Sequence, residues 1–167
     1  MAEKSNNPKD VRKPGTIMQD QSEAIAFLSS AATHGGQPVE VIETHGAYVF
    51  LAGDRALKMK RAVWFPYMDF STLEKRRAYC EAELRLNRRT APSLYRAVRA
   101  VTRDATGTLA LDGEGEVLDW VVDMARFDQD TLFDRLAQRG DLTRSLLEEL
   151  ADEIAQFHEA AERRPDI

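Results

Sequence analysis

The chain has one cysteine, Cys80, in 167 residues. No internal disulfide can form, and a reducing compartment fits. No apolar run approaches the roughly 20 residues of a membrane-spanning helix. The polar start, Met1 to Lys13, lacks the apolar segment of a secretory signal. A membrane partner is therefore not expected, and the cytoplasm is the default location. Positive charge is also in deficit: 23 Lys and Arg against 28 Asp and Glu leave a net charge of -5. That balance argues against a general nucleic-acid partner, although a phosphate site needs only a few local cations. No Cys/His cluster has metal-ligand spacing. Two glycine patterns that cradle phosphates are missing, G-x-x-x-x-G-K-[ST] and G-x-G-x-x-G; Gly113-x-Gly115 is followed by Leu118. After Asn87 the sequence contains no asparagine.

What is present is a globular composition, 43% hydrophobic and 31% charged, enough to bury a core. Residues 1–17 are rich in Asn, Pro and Lys and predict a disordered lead. Ile25, Phe27, Leu28 and Ala32 have helical spacing over 19–33. The period then changes to strand alternation over 39–43, 47–51 and 55–63, with turns at His45-Gly46 and Gly53-Asp54. Residues 64–70 read as an aromatic connector broken by Pro66. Ser71-Thr72-Leu73-Glu74 reads as a capping box opening a helix to about Arg89. A hairpin follows over 95–103 and 108–111, then an apolar strand over 117–127 and helices over 130–139 and 143–163. The pattern predicts an α+β fold: residues 18–127 form an antiparallel sheet with one inserted helix, and residues 128–167 begin a helical region.

Alternation along the third strand places Ala56, Lys58 and Lys60 on one face. If that face meets a ligand, Ala56 leaves room for a flat base and a lysine reaches phosphate. Lys58 fits an Ala-x-Lys pattern best, and Lys60 shares its face. On the strand alone, two solvated lysines are the commoner reading. A phosphate-binding lysine needs a carboxylate to hold its flexible stem, and the next helix offers Glu81 and Glu83, flanking a stripe through Cys80, Leu84 and Asn87. Sequence does not rank the two glutamates. Both could equally be surface residues paired with Arg77, Arg85 or Arg88. Gly46 is the only glycine in the first turn, so any phosphate-covering loop is minimal. The basic run Arg85, Arg88, Arg89 reads as a solvated helix face.

Several stretches resemble the start of a bacterial aminoglycoside-phosphotransferase-like family with a protein-kinase-like fold, often followed by a P-loop kinase domain. They are Glu43-Thr44-His45, Val49 to Asp54, Asp69 to Arg77, Cys80 to Arg89 and Met124 to Phe127. The resemblance implies a kinase-like small lobe followed by the first helices of the large lobe, and ATP-dependent phosphorylation of a small molecule's hydroxyl. It implies ATP with Mg as cofactor, Lys58 as the phosphate-binding lysine, Glu81 or Glu83 as its partner, and Asp123, Met124 and Ala125 as the hinge that pairs with adenine. The acceptor is not identified. The family continues into a His-Gly-Asp-x-His-x-x-Asn loop and a metal-binding Asp, which are not found here, so the chain is expected to be truncated before its catalytic loop and inactive alone. The alternative is a non-enzymatic nucleotide-binding or protein-interaction module using Trp64, Phe65 and Tyr67. Leu146, Leu147, Leu150, Ile154 and Phe157 predict an apolar helix side open to self-association.

Overall fold

The computed structural model describes residues 13–163. These fall into two compact units divided between Arg126 and Phe127.

The first unit is a six-stranded antiparallel sheet with two helices. In chain order its elements are α1 (Ser22–Ser29), β1 (Val39–Glu43), β2 (Ala47–Ala52), β3 (Arg55–Lys60), β4 (Trp64–Phe65), β5 (Met68–Asp69), α2 (Leu73–Asn87), β6 (Tyr95–Arg103), β7 (Leu109–Leu111) and β8 (Glu116–Ala125). The main sheet runs β1-β2-β3-β8-β6-β7. The last strand in sequence is thus inserted between β3 and β6, and α2 bridges the chain between those two. One face of the sheet buries Phe50, Leu57, Met59, Val101 and Val121 against Ala24 and Leu28 of α1. Burial of these large side chains is worth about 1.5–3 kcal/mol each. The opposite face carries Lys58, Lys60 and Val122 and is covered by α2.

The mixed α+β architecture is as expected from the periodicity, with local corrections. Residues 1–12 of the expected disordered lead lie outside the described residues. Residues 13–17 are instead tied down: Gly15 N–H donates to the Trp64 carbonyl at 2.8 Å, Met18 N–H to that of Ala62 at 2.7 Å, and Ile17 bridges Val63. β3 stops at Lys60 because the next amides leave the ladder. Ala62 N–H donates to Gln21 Oε1 at 2.7 Å, and Val63 N–H turns back to the Arg61 carbonyl. The aromatic connector is a small hairpin, with Trp64 opposite Asp69 and Phe65 opposite Met68, and Pro66 at its tip. The cap of α2 is Thr72 rather than Ser71. Thr72 Oγ1 accepts from Lys75 N–H at 3.3 Å, whereas Ser71 Oγ donates to Asp69 Oδ1 at 2.6 Å.

The second unit contains a short 3₁₀ turn (Gln129–Thr131), α3 (Phe133–Arg139) and α4 (Arg144–Ala160). Gly140 ends α3 at φ +76°, a left-handed conformation that favours glycine. Thr143 caps α4 by accepting from Leu146 N–H at 3.3 Å. Leu147, Leu150 and Ile154 line one side of α4 and stay 40–47% exposed. Among the described residues no helix is long and apolar enough to cross a membrane.

Candidate functional site

β3 sorts its side chains by alternation. Leu57 and Met59 are fully buried toward α1, and Ala56, Lys58 and Lys60 face α2. Lys58 sits in register with Val49 of β2 and Val122 of β8, in the middle of the sheet. The face of α2 turned toward it is Arg76, Cys80, Glu83 and Asn87, spaced i, i+4, i+7 and i+11. That stripe differs from the expected one, which ran through Leu84. Cys80 Sγ points at the Trp120 carbonyl of β8, 3.9 Å away. One turn on, the Glu83 carboxylate accepts from Lys58 Nζ at 2.8 Å with one oxygen and from Lys60 Nζ with the other.

The two lysines are not equivalent. The Lys60 side chain is 9% exposed and the Lys58 side chain 31%. Lys60 Nζ also lies 5.4 Å above the Phe70 ring, which fixes it in the interior. Lys58 keeps an open side toward solvent. Burial raises the Glu83 carboxyl, but the hydrogen bonds and charges of the two lysines outweigh it and hold the group below the ordinary carboxylate value. Burial pushes the neighbouring Cys80 thiol up to about 12. It also raises the phenol of Tyr95, which feels the charges of Glu83 and Lys58. Two ammonium groups against one carboxylate leave the cluster with an excess positive charge, and its solvent-facing member is Lys58.

The sequence candidates separate on the structure. Ala56, Lys58, Glu83 and Met124 share one layer, with Met124 in register between Ala56 and Tyr95. Glu81 does not join them; it is exposed and accepts from Arg77 Nε at 2.8 Å, one turn back on the helix. Asp123 lies on the opposite face of the sheet, where Arg55 and Arg99 neutralise it at 2.9 and 2.6 Å. Burial raises its carboxyl, and the two guanidinium groups more than reverse that.

The expected hinge backbone is also committed. Ala125 N–H donates to the Leu94 carbonyl at 2.8 Å, the following Arg126 N–H donates to that of Asp54 at 2.8 Å, and Asp123 and Met124 lie between two partner strands. The Ala125 and Arg126 N–H groups are thus engaged within the sheet, and Asp123 and Met124 sit on an interior stretch of β8. Gly46 has a packing reason of its own: a Cβ there would lie 2.9 Å from Met68 Cε, and its carbonyl accepts from Arg61 N–H at 3.0 Å. Its missing side chain makes room for Met68 of the β4–β5 hairpin.

Sequence reasoning missed the polar cluster that positions α2. Arg76 Nε donates to Asp119 Oδ1 at 2.8 Å, with side chains 0% and 1% exposed. The same guanidinium donates to Gln19 Oε1 and to the Phe70 carbonyl, at 2.8 and 3.2 Å. Gln21 Nε2 donates to Asp119 Oδ2 and to the Lys60 carbonyl, at 2.6 and 2.8 Å. The signal was available, since Asp119 is a lone charge inside the apolar run Val117 to Val122. Among the described residues, no group of three or more His, Cys, Asp or Glu side chains could hold a metal ion.

No protein-family model matches the chain, and no solved structure matches it. It is 33% identical over 125 residues to an uncharacterized protein of Mycobacterium tuberculosis (strain H37Rv) and, to the same degree, to one of Mycobacterium bovis. The match takes in 75% of this chain and 23% of each relative, so the chain spans about a quarter of the length of the curated relatives it matches.

Proposed function

We propose that residues 13–126 form the nucleotide-side lobe of a protein-kinase-like phosphotransferase, one that moves the terminal phosphoryl group of ATP to a small molecule's hydroxyl. The observation that carries this reading is the Glu83 carboxylate of α2, held between Lys58 and Lys60 of β3. A carboxylate on the inserted helix orients the lysine stem, and the lysine ammonium is then aimed at phosphate oxygens. The sheet order β1-β2-β3-β8-β6, with a helix inserted after β3, supports the same assignment to a kinase-like small lobe.

In this reading Lys58 Nζ donates to a phosphate oxygen. Glu83 holds that ammonium in place, and buried Lys60 keeps Glu83 ionised. Ala56, with its small side chain, borders the space a base would take. ATP fits this donor set. Among the described residues no group of three or more His, Cys, Asp or Glu could hold an ion by itself, so magnesium would enter on the ATP phosphates. No step is therefore assigned to the metal, and residues 88–167 contain no asparagine to serve as a metal ligand. The role assigned to this polypeptide is nucleotide binding, not transfer by itself. An NMR titration with ATP tests it: shifts should centre on Ala56, Lys58 and Glu83 and weaken in Lys58→Ala.

A further inference from the structure

Most arginines of the first unit rest against carboxylates. Arg55, Arg61, Arg76, Arg77, Arg99, Arg103 and Arg126 each have one within 3.3 Å. The groove between α2 and β6 departs from this pattern. It is an open groove of about 590 Å³ lined by Glu81, Leu84, Arg85, Arg88, Arg96, Ala97 and Val98. Glu81 is already engaged by Arg77. Among the described residues no carboxylate pairs with Arg85 or Arg88. Arg96 has only a loose contact with Asp54, 3.8 Å away and 94% exposed. Arg88 is nevertheless held rigid, since its guanidinium donates to the main-chain carbonyls of Tyr95 (2.8 Å) and Arg96. A chain with net charge -5 thus gathers three under-compensated cations around an apolar floor.

We propose that this groove is a docking site for an acidic peptide segment of a partner protein. Leu84, Ala97 and Val98 would receive one apolar side chain, and Arg85, Arg88 and Arg96 would receive flanking carboxylates. Charge complementarity is the reason to assign an acidic partner. A planar guanidinium binds a carboxylate through two parallel hydrogen bonds, and three of them around a shallow apolar strip fit a short acidic segment with a hydrophobic anchor. The site is separate from the Lys58 cluster, and its test contains no nucleotide.

The experiment is fluorescence polarisation of the full chain with labelled Glu-Glu-Leu-Glu-Glu-Phe, with Lys-Lys-Leu-Lys-Lys-Phe as the charge-reversed control. The acidic peptide should bind in the range of about 10–100 μM, as a small, polar contact does. The basic peptide should not bind. Affinity should drop several-fold as salt rises from about 0.05 to about 0.3 M. Arg85→Glu should weaken binding by roughly fivefold or more; Arg85 makes no contact that folding needs, so it is the deciding variant if Arg88→Glu fails to fold. Arg135→Glu, on exposed α3, should change nothing. The proposal is overturned if the acidic peptide fails to bind, if Arg135→Glu loses as much as Arg85→Glu, or if inorganic tripolyphosphate binds more tightly than the peptide and displaces it.

Discussion

The Arg76 guanidinium and the Asp119 carboxylate meet at 2.8 Å with both side chains out of water. They join the first half of α2 to β8 just beyond the point where β3 ends. Gln19 and Gln21 close the remaining hydrogen bonds, so neither charge is left unsatisfied in the interior. This contact sets where α2 lies on the sheet, and Glu83 stands two turns further along the same stripe.

Breaking that pair on one side only should be severe. Arg76→Met or Asp119→Asn is expected to cost about 3–5 kcal/mol, because each strands a buried partner. Combining the two changes should cost less than the sum of the single changes. Urea denaturation of the two single variants and the double variant measures this, and additive losses would contradict the coupling.

Acid should unfold the first unit in a defined direction. Glu83 is held below its ordinary value of 4.5 in the folded chain, and Asp123 is held below 3.8. Asp69 is drawn down to about 2 by Lys75 and Ser71. Because the folded values are depressed, the unfolded chain takes up protons first. The stability these groups supply is complete above about pH 4.5 and is lost as pH falls through the folded values. Denaturation midpoints measured from pH 7 to pH 3 should fall steeply below about pH 4.5. Glu83→Gln should be less stable at pH 7 and show a shallower fall. An unchanged acid slope in that variant would remove Glu83 from the account.

Leu147, Leu150 and Ile154 leave a row of apolar surface on α4, and covering such a row is favourable. The helix also carries Glu148, Glu149, Asp152, Glu153 and Glu159, so copies that approach through it repel one another at low salt. Sedimentation should reveal association that grows with protein concentration and with salt, and Leu150→Lys should remove it. A monomer throughout that range would contradict the prediction.

Strand alternation and turn chemistry made the sheet readable from sequence. Val39 to Glu43 alternates and clear turns bound the expected strands at 39–43, 47–51 and 55–63; the structure holds strands at Val39–Glu43, Ala47–Ala52 and Arg55–Lys60. Thr72 and Ser71 are neighbours with the same capping chemistry, so the start of α2 was legible only to within one residue. The Lys58 face was legible because alternation fixes it. The choice of glutamate was not, since Glu81 and Glu83 differ by about 200° around a helix and only the anchoring of α2 decides which one faces the sheet. Arg76 and Asp119 supply that anchoring across 43 residues, a separation no local pattern encodes. The ion pairs of the Asp123 carboxylate were illegible for a related reason: Arg55 and Arg99 lie on two different neighbouring strands.

The central claim is that the Lys58–Glu83 cluster receives the phosphates of a nucleotide, and an NMR titration with ATP across four proteins tests it most directly. Wild type should bind with a dissociation constant on the order of millimolar, about -4 kcal/mol, with shifts centred on Ala56, Lys58 and Glu83. Lys58→Ala should lose most of that response. Glu83→Gln should lose less, since the carboxylate orients the lysine without touching phosphate, and Glu81→Gln should behave as wild type. Shifts confined to other surfaces, or an equal loss in Glu81→Gln and Lys58→Ala, would contradict the account.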